Sequence, residues 1–498
     1  MNRLSVVDEM FLRAHRGMGT PIVLQGLWRT AEPVETELLA RVHEALRRGP
    51  LGRRVVRSRV PGARPRWVVN TQAHPLELPS DPIPVAALLD WADQQGGDLN
   101  PETGPGWRLA AAPLDDGGCV VALTCSHALA DGRAVALAVD HALTGTPLAA
   151  PIAPQSDWAD ARRQWRTVLG GTARALRRGL PPRPTPVAPR RATNPPAVTP
   201  LAHYPGSESA ATNKTAAGAH QPYTGATSTP TNTTPAGADQ THIGAAPAHK
   251  TSDGASPADP HTGATMAFTD SAGAGGGLFM RKGSATAGAA LQIPVREWNR
   301  VAVARGGTAN SLFVHLVADL LWASGFQGET IVASLPVDTR DEPRVDNDMA
   351  MTEVAIERAD TPATLRRKAR AAYEHRMTSP GGIPEELLQV IPDRWAYALA
   401  KGAGERDILC SNIGCLPDSL LSLGPHPCTG VTARAIHPGL HLDRLPRTRL
   451  SGYLTRIADT YTLALVSLDP DAIADSTALT ELARAGLAEL GLTPVAIW

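Results

Sequence analysis

From Pro181 to about Ala290 the chain loses the ingredients of a packed core. The stretch opens as PPRPTPVAPR and continues in alanine, threonine, glycine, proline and histidine, with few large apolar residues. Ordering a residue costs about 1–2 kcal/mol in backbone entropy, and a segment of this composition buries too little to offset that cost. YTGAT at 223–227, HIGAA at 242–246 and HTGAT at 261–265 form a degenerate repeat, yet a solenoid unit would need an apolar stacking face. We therefore read 181–290 as a disordered insert between two folded blocks, 1–180 and 291–498, each long enough for its own core. Much of the surplus of 45 glycines and 44 prolines lies in the insert, which leaves the blocks richer in apolar residues than the chain-wide 43%.

Charge and cysteine usage remove several function classes. The 48 basic and 48 acidic residues cancel, so no nucleic-acid partner is indicated. Arginine clusters at Arg47–Arg66 and Arg174–Arg191 are read first as solvated helix ends and loops, and second as contacts for anionic lipid or a phosphorylated substrate. Five cysteines make no disulfide framework and fit the cytosol. Cys410, Cys415 and Cys428 with His426 lack the spacing of a zinc module, so no metal is expected. Asp8 and Glu9 interrupt any export signal, and no 18-residue apolar run is present. The protein is expected to be cytoplasmic, at most in peripheral contact with a membrane or lipid surface.

Both blocks mix helix and strand. Leu4, Val7, Met10 and Phe11 recur at helical offsets over 4–16, with Ser5 or Asp8 as cap, and a strand follows. Helices are expected at 34–46, 83–93, 294–304, 308–325, 362–376 and 476–490, with another around Trp395. Strands are expected at 67–70, 331–337 and 460–468, and residues 407–412 lead into the loop GCLPDS. The best-defined unit is a hairpin, 108–113 and 119–125, closed by Asp-Asp-Gly-Gly and followed by a helix from Gly132 that Gly145 stops.

At the exit of that hairpin, Ser126-His127-Ala128-Leu129-Ala130-Asp131-Gly132 places an imidazole and a carboxylate four residues apart. A neutral His127 facing a cleft can take the proton of an alcohol or amine as that group attacks an acyl carbonyl. No serine or cysteine nucleophile is then required. Asp131 is expected to fix the loop by pairing with an arginine, and Arg340, just after the strand VASLPVD, is the candidate. Taken alone, the spacing HxxxDG fits a satisfied core histidine better than a base.

The motif does not stand alone. LSVVDEMFLRAHRG, GPGWRLAAAPLDDGGCVVALTCSHALADG, VAVARGGTANSLFVHLVADLL, ASLPVDTRDEPRVDNDM and ILCSNIGCLPDSL resemble, in order, five blocks of the bacterial wax ester synthase and diacylglycerol acyltransferase family. That family lies within the chloramphenicol acetyltransferase-like and condensation-domain superfamily. The resemblance covers about 1–170 and 290–490. It implies an α/β fold of two similar domains in a V with a channel between them. His127 falls at the general-base position, Asp131 and Gly132 shape its loop, and Ser126, Trp107, Asn310, Arg340, Ser411 and Asn412 support the site or line the substrate pocket. Ser126 stands where the family usually has a first histidine, Asn310-Ser311 replaces Asn-Asp, Pro105-Gly106-Trp107 replaces PLW, and the segment after Arg344 is altered.

The implied activity is O-acyl transfer from acyl-CoA, a co-substrate rather than a resident cofactor, to a hydroxyl acceptor such as a long-chain alcohol or diacylglycerol. Two alternatives stay open: a condensation-like enzyme taking its thioester from a carrier protein, and an acyl-binding protein without catalysis. Ser411 and Asn412 are candidate oxyanion donors or backbone-fixing groups. The composition of the insert predicts that replacing 190–280 with a long flexible linker leaves cooperative unfolding intact. Loss of the cooperative transition in denaturant would contradict that expectation.

Overall fold

The computed structural model describes residues 3–17, 21–148, 156–178, 286–374, 384–400, 406–443 and 445–498. Of the expected insert, 181–290, all but 286–290 lies outside them. From the amino terminus, α1 (Val6–His15) leads to β1 (Val23–Thr30), α2 (Thr36–Arg48), a short hairpin of β2 (Arg53–Val56) and β3 (Arg66–Val69), and α3 (Leu88–Asp93). The hairpin β4 (Trp107–Pro113) and β5 (Cys119–Ser126) precedes α4 (Gly132–Thr144) and α5 (Asp157–Arg178). The second block opens with β6 (Ala287–Pro294), α6 (Val295–Ala304), α7 (Ala309–Ala323), β7 (Thr330–Asp338) and β8 (Met349–Glu357). After α8 (Pro362–Glu374), α9 (Leu387–Val390) and α10 (Asp393–Ala400) come β9 (Ile408–Cys415), β10 (Ser422–Leu423) and β11 (His426–Ile436). The chain closes with β12 (Leu450–Ile457), β13 (Thr460–Ser467), α11 (Ser476–Glu489) and β14 (Ala496–Ile497).

Local chemistry sets the elements that carry the site. Ser5 caps α1 in a capping box: its Oγ accepts from the Asp8 N–H at 3.0 Å, and Asp8 Oδ2 accepts from the Ser5 N–H at 2.8 Å. Asp131 caps α4 by accepting from the Ala134 N–H at 2.9 Å, and Gly145 ends that helix at φ +72°. β5 is buried at every position, so its side chains leave the strand on a rigid base.

Two sheets organise the described residues. The first has the order β10-β11-β1-β5-β4 and is antiparallel throughout. The second has the order β14-β6-β13-β12-β9-β7-β8, with β9 parallel to both β12 and β7. Separate apolar clusters fill the two sheets' cores, one around Trp107, Leu123 and Val139, the other around Trp298, Phe313 and Leu463.

The sheets depart from the sequence reading in three places. β6 begins at Ala287, four residues before order was expected to return at Leu291. Its Ala-Gly-Ala-Ala start has the composition of the insert, but pairing with β13 in the sheet core buries it. Ser422–Ile436 belong to the first sheet although they lie in the second block, so a boundary drawn at 291–498 cuts across the hydrogen bonding. β11 also joins the two sheets: Thr462 Oγ1 donates to Val431 O at 2.8 Å and Gln292 Nε2 to Thr429 O at 3.1 Å. Finally, Ser411 and Asn412 lie within β9 rather than at the mouth of a loop.

Candidate functional site

His127 follows the last residue of β5, and its surroundings come from three separate stretches of chain. Phe11 of α1 stacks on the imidazole with ring centroids 3.6 Å apart and planes inclined by 12°. Asn347, in the loop between β7 and β8, donates through Nδ2 to His127 O at 2.7 Å and to Asp8 Oδ1 at 2.9 Å. Those acceptors fix the amide orientation, so its Oδ1, 3.2 Å from His127 Nδ1, accepts the ring proton there. The consequence is one tautomer: hydrogen on Nδ1, lone pair on Nε2. Burial pushes the imidazole down to about 4 from its ordinary 6.5, which keeps it neutral near pH 7.

Asp131 sits four residues on and does not touch the imidazole. Its Oδ2 accepts from Arg340 Nη2 at 2.5 Å and from the Asp348 N–H at 3.1 Å, while Oδ1 caps α4. Burial pushes this carboxyl upward, against the pull of the guanidinium and the two backbone N–H groups. Arg340 also donates to Asp346 O at 2.8 Å and Arg344 O at 3.1 Å, folding the 338–348 loop around itself. The loop so folded carries Asn347 to His127. Arg53 adds a second tie, donating from one nitrogen to Leu129 O at 2.5 Å and Val345 O at 2.8 Å.

Ser126 supports the turn, accepting from the Ala128 N–H at 3.2 Å and lying 2.5 Å from His15 Nε2. Trp107 is fully buried beside His43 in the first core, so it packs the sheet under the motif rather than lining a pocket. Gly106 is constrained by packing too: a Cβ there would meet Leu129 Cδ1 at 2.5 Å. Gly132 faces β9, where a Cβ would come within 2.7 Å of Ile413 Cδ1. Ile413 reaches it from a bulge, since Leu454 pairs with Asn412 and Thr455 with Gly414.

Asn310 and Asn412 meet each other and not the imidazole. Asn412 Nδ2 donates to Asn310 Oδ1 at 3.0 Å, Asn310 Nδ2 donates to Tyr373 Oη at 3.0 Å, and Asn412 Oδ1 accepts from the Gly414 N–H at 3.0 Å. Of the two roles left open for Asn412, its contacts are those of a backbone-fixing group. Ser411 is half-buried beside it on β9. Among the described residues no group of histidine, cysteine, aspartate or glutamate side chains could hold a metal ion, and no helix is long and apolar enough to cross a membrane.

The sequence reading missed Asn347, Phe11, His15 and His437. Asp8, Phe11 and His15 share one helix face at offsets of three and four, a signal already present in the α1 pattern. His437 had no local signal. Ser126 and Ile436 both pair with Val23, so His127 and His437 leave the same end of the sheet on either side of β1, about 10 Å apart by two strand spacings. His437 Nδ1 donates to Pro21 O at 3.0 Å, leaving a lone pair on a buried Nε2 that has no hydrogen-bond partner. Burial and nearby His127 depress it to about 4 as well.

Two measurements follow from this geometry. Asp131→Asn and Arg340→Lys each leave a buried charge poorly paired and are expected to cost about 3–5 kcal/mol of unfolding free energy, with the double mutant well short of the sum. Additive or negligible losses would show that the pair holds nothing. His127 and His437 resist protonation when folded, so stability is lost as pH falls from about 6.5 toward 4 and is unaffected above that range. Urea unfolding of His127→Gln is expected to fall less steeply with pH over this window, and slopes matching the parent chain would refute the buried neutral state.

No protein-family model matches the chain, and no curated protein matches it. Solved structures do. The wax ester synthase/diacylglycerol acyltransferase from Marinobacter aquaeolei VT8 is 14% identical with a TM-score of 0.50, covering 98% of both chains. The first condensation domain of the calcium-dependent antibiotic synthetase, in complex with a substrate analogue, is 15% identical with a TM-score of 0.51, covering 99% of this chain and 98% of that one. At this identity the likeness is one of architecture: the chain shares the α/β fold of these two structures.

Proposed function

We propose that the protein transfers an acyl group from a thioester to an O–H or N–H nucleophile, with His127 as general base. The observation that carries this reading is the fixed tautomer: Asn347 holds the proton on Nδ1 and leaves the Nε2 lone pair to take another. In that step the nucleophile gives its proton to Nε2 as its oxygen or nitrogen bonds to the thioester carbonyl carbon. Collapse of the tetrahedral adduct breaks the C–S bond, and the imidazolium returns the proton to the departing thiolate. An imidazolium that is acidic because it is buried suits the second half of the cycle. Asp131, Gly132 and Arg340 act as positioning residues, and Ser126 supports the turn.

The broad reaction, acyl transfer from a thioester, is the reading the site supports. Free acyl-CoA with a fatty alcohol or diacylglycerol, and a carrier-bound thioester with a polar metabolite, are narrower versions of it that share every residue named. The test runs both donor classes against both acceptor classes, following released thiol and ester or amide mass together. His127→Ala is expected to lose roughly 10²–10⁴ in rate with folding retained, and Ser126→Ala to lose much less. Turnover only with carrier-bound donors selects the condensation-like version, and turnover of acyl-CoA with lipid acceptors selects storage-lipid synthesis. Acyl binding without turnover on any donor, or full activity in folded His127→Ala, would remove the catalytic reading.

A further inference from the structure

α5 packs one face on the protein and turns a second apolar face to solvent. Ala161, Gln164, Val168 and Ala175 are buried on one side. Trp158, Trp165, Leu169 and Leu176 are between 40% and 71% exposed on another. Their steps of seven, four and seven residues align them in one narrow stripe at about 100° per residue. A helix on a globular protein ordinarily spends its apolar stripe on the core, and this one carries an additional stripe that the core does not use.

The charge on that helix is predominantly positive. α5 carries six arginines against two aspartates, and both aspartates are already engaged. Asp157 binds Arg3 at 2.5 Å and Ser58 at 2.8 Å, and Asp160 binds Arg64 at 2.7 Å. Those contacts seat the helix against the 57–66 segment, where Trp165 Nε1 donates to Pro61 O at 3.4 Å and Arg57, Arg59 and Arg66 are exposed. Two arginine-rich stretches separated by about a hundred positions of sequence thus meet on one face. The solvated reading given to each alone does not account for indoles and leucines set among them.

We propose that this face docks on an anionic lipid surface, with the indoles and leucines entering the headgroup boundary and the arginines pairing with lipid phosphates. A soluble polyanion would be matched by the arginines and would leave four large apolar side chains in water. A lipid interface takes both, and arginine stems lie along it while their heads stay wet. The inference is independent of the acyl-transfer reading, since none of these residues touches the histidine site.

The test uses the full chain and vesicles of phosphatidylglycerol or of phosphatidylcholine, with flotation and tryptophan quenching by brominated lipid as readouts. The protein is expected to float with phosphatidylglycerol vesicles, less so as salt rises, and far less with phosphatidylcholine. Each exposed arginine removed is expected to cost roughly fivefold in partitioning, so Arg162→Ala with Arg166→Ala loses more than tenfold. Trp158→Glu with Leu169→Glu is expected to abolish flotation while the thermal melt stays unchanged, because both side chains are exposed. No flotation of the parent chain at low salt would overturn the proposal. Flotation that survives the apolar substitutions and fails only with the arginine ones would show that charge alone holds the face, with no entry of the indoles and leucines, and would overturn it too.

Discussion

The ion pair between Asp131 and Arg340 holds two loops from different blocks of the chain in one geometry. Asp131 joins the turn carrying His127 to the first turn of α4, and Arg340 joins the end of β7 to the backbone at 344 and 346. Asp131 spends its spare hydrogen-bonding capacity on main-chain N–H groups, and Arg340 spends its own on the carbonyls at 344 and 346 and on the Asp338 carboxylate, which is how a buried pair recovers part of its desolvation cost. What the pair delivers is the position of a third residue. With the 338–348 loop folded, Asn347 reaches the imidazole and also the Asp8 carboxylate on α1. The proton on His127 Nδ1 is therefore fixed by a chain of contacts that begins at a residue not touching the imidazole.

Much of this was legible in the sequence because the relevant signals are local. The Asp-Asp-Gly-Gly turn, a cap at Ser5 or Asp8 and the stop at Gly145 are each written within a few residues, and the elements they bound are where the pattern places them. The Asp131–Arg340 contact was reachable because a carboxylate at a strand exit needs a partner and an arginine follows another strand. β8, β11 and β12 carry no such mark. β12 is buried at nearly every position, so it lacks alternation, and the polar start of β11 resembles a loop.

Around the site, contacts distant in sequence decide what surrounds each residue. Asn412 looks like a loop amide until β9 is paired with β12 and the bulge at Ile413 is seen to face Gly132. His437 carries no signal of its own until β11 is placed beside β1. Trp107, which the resemblance gives as a support of the site or as a pocket residue, is buried on the strand's inward face. Long-range pairing gives each residue a role that no window of the sequence contains.

β11 completes the first sheet from far along the chain: its Thr429 hydroxyl meets the Arg29 carbonyl across a separation of 400 residues. During synthesis, β1 has β5 on one side and no neighbour on the other until residues 426–436 leave the ribosome. An unpaired edge of that kind is a template for association with other chains. Closing so long a loop is entropically cheap in its length dependence, about 0.6 kcal/mol for each doubling, so the penalty lies in waiting time rather than in stability. The nascent amino-terminal sheet is thus the stage at which this protein would depend on a chaperone, and residues 1–178 expressed alone would carry that exposed edge permanently.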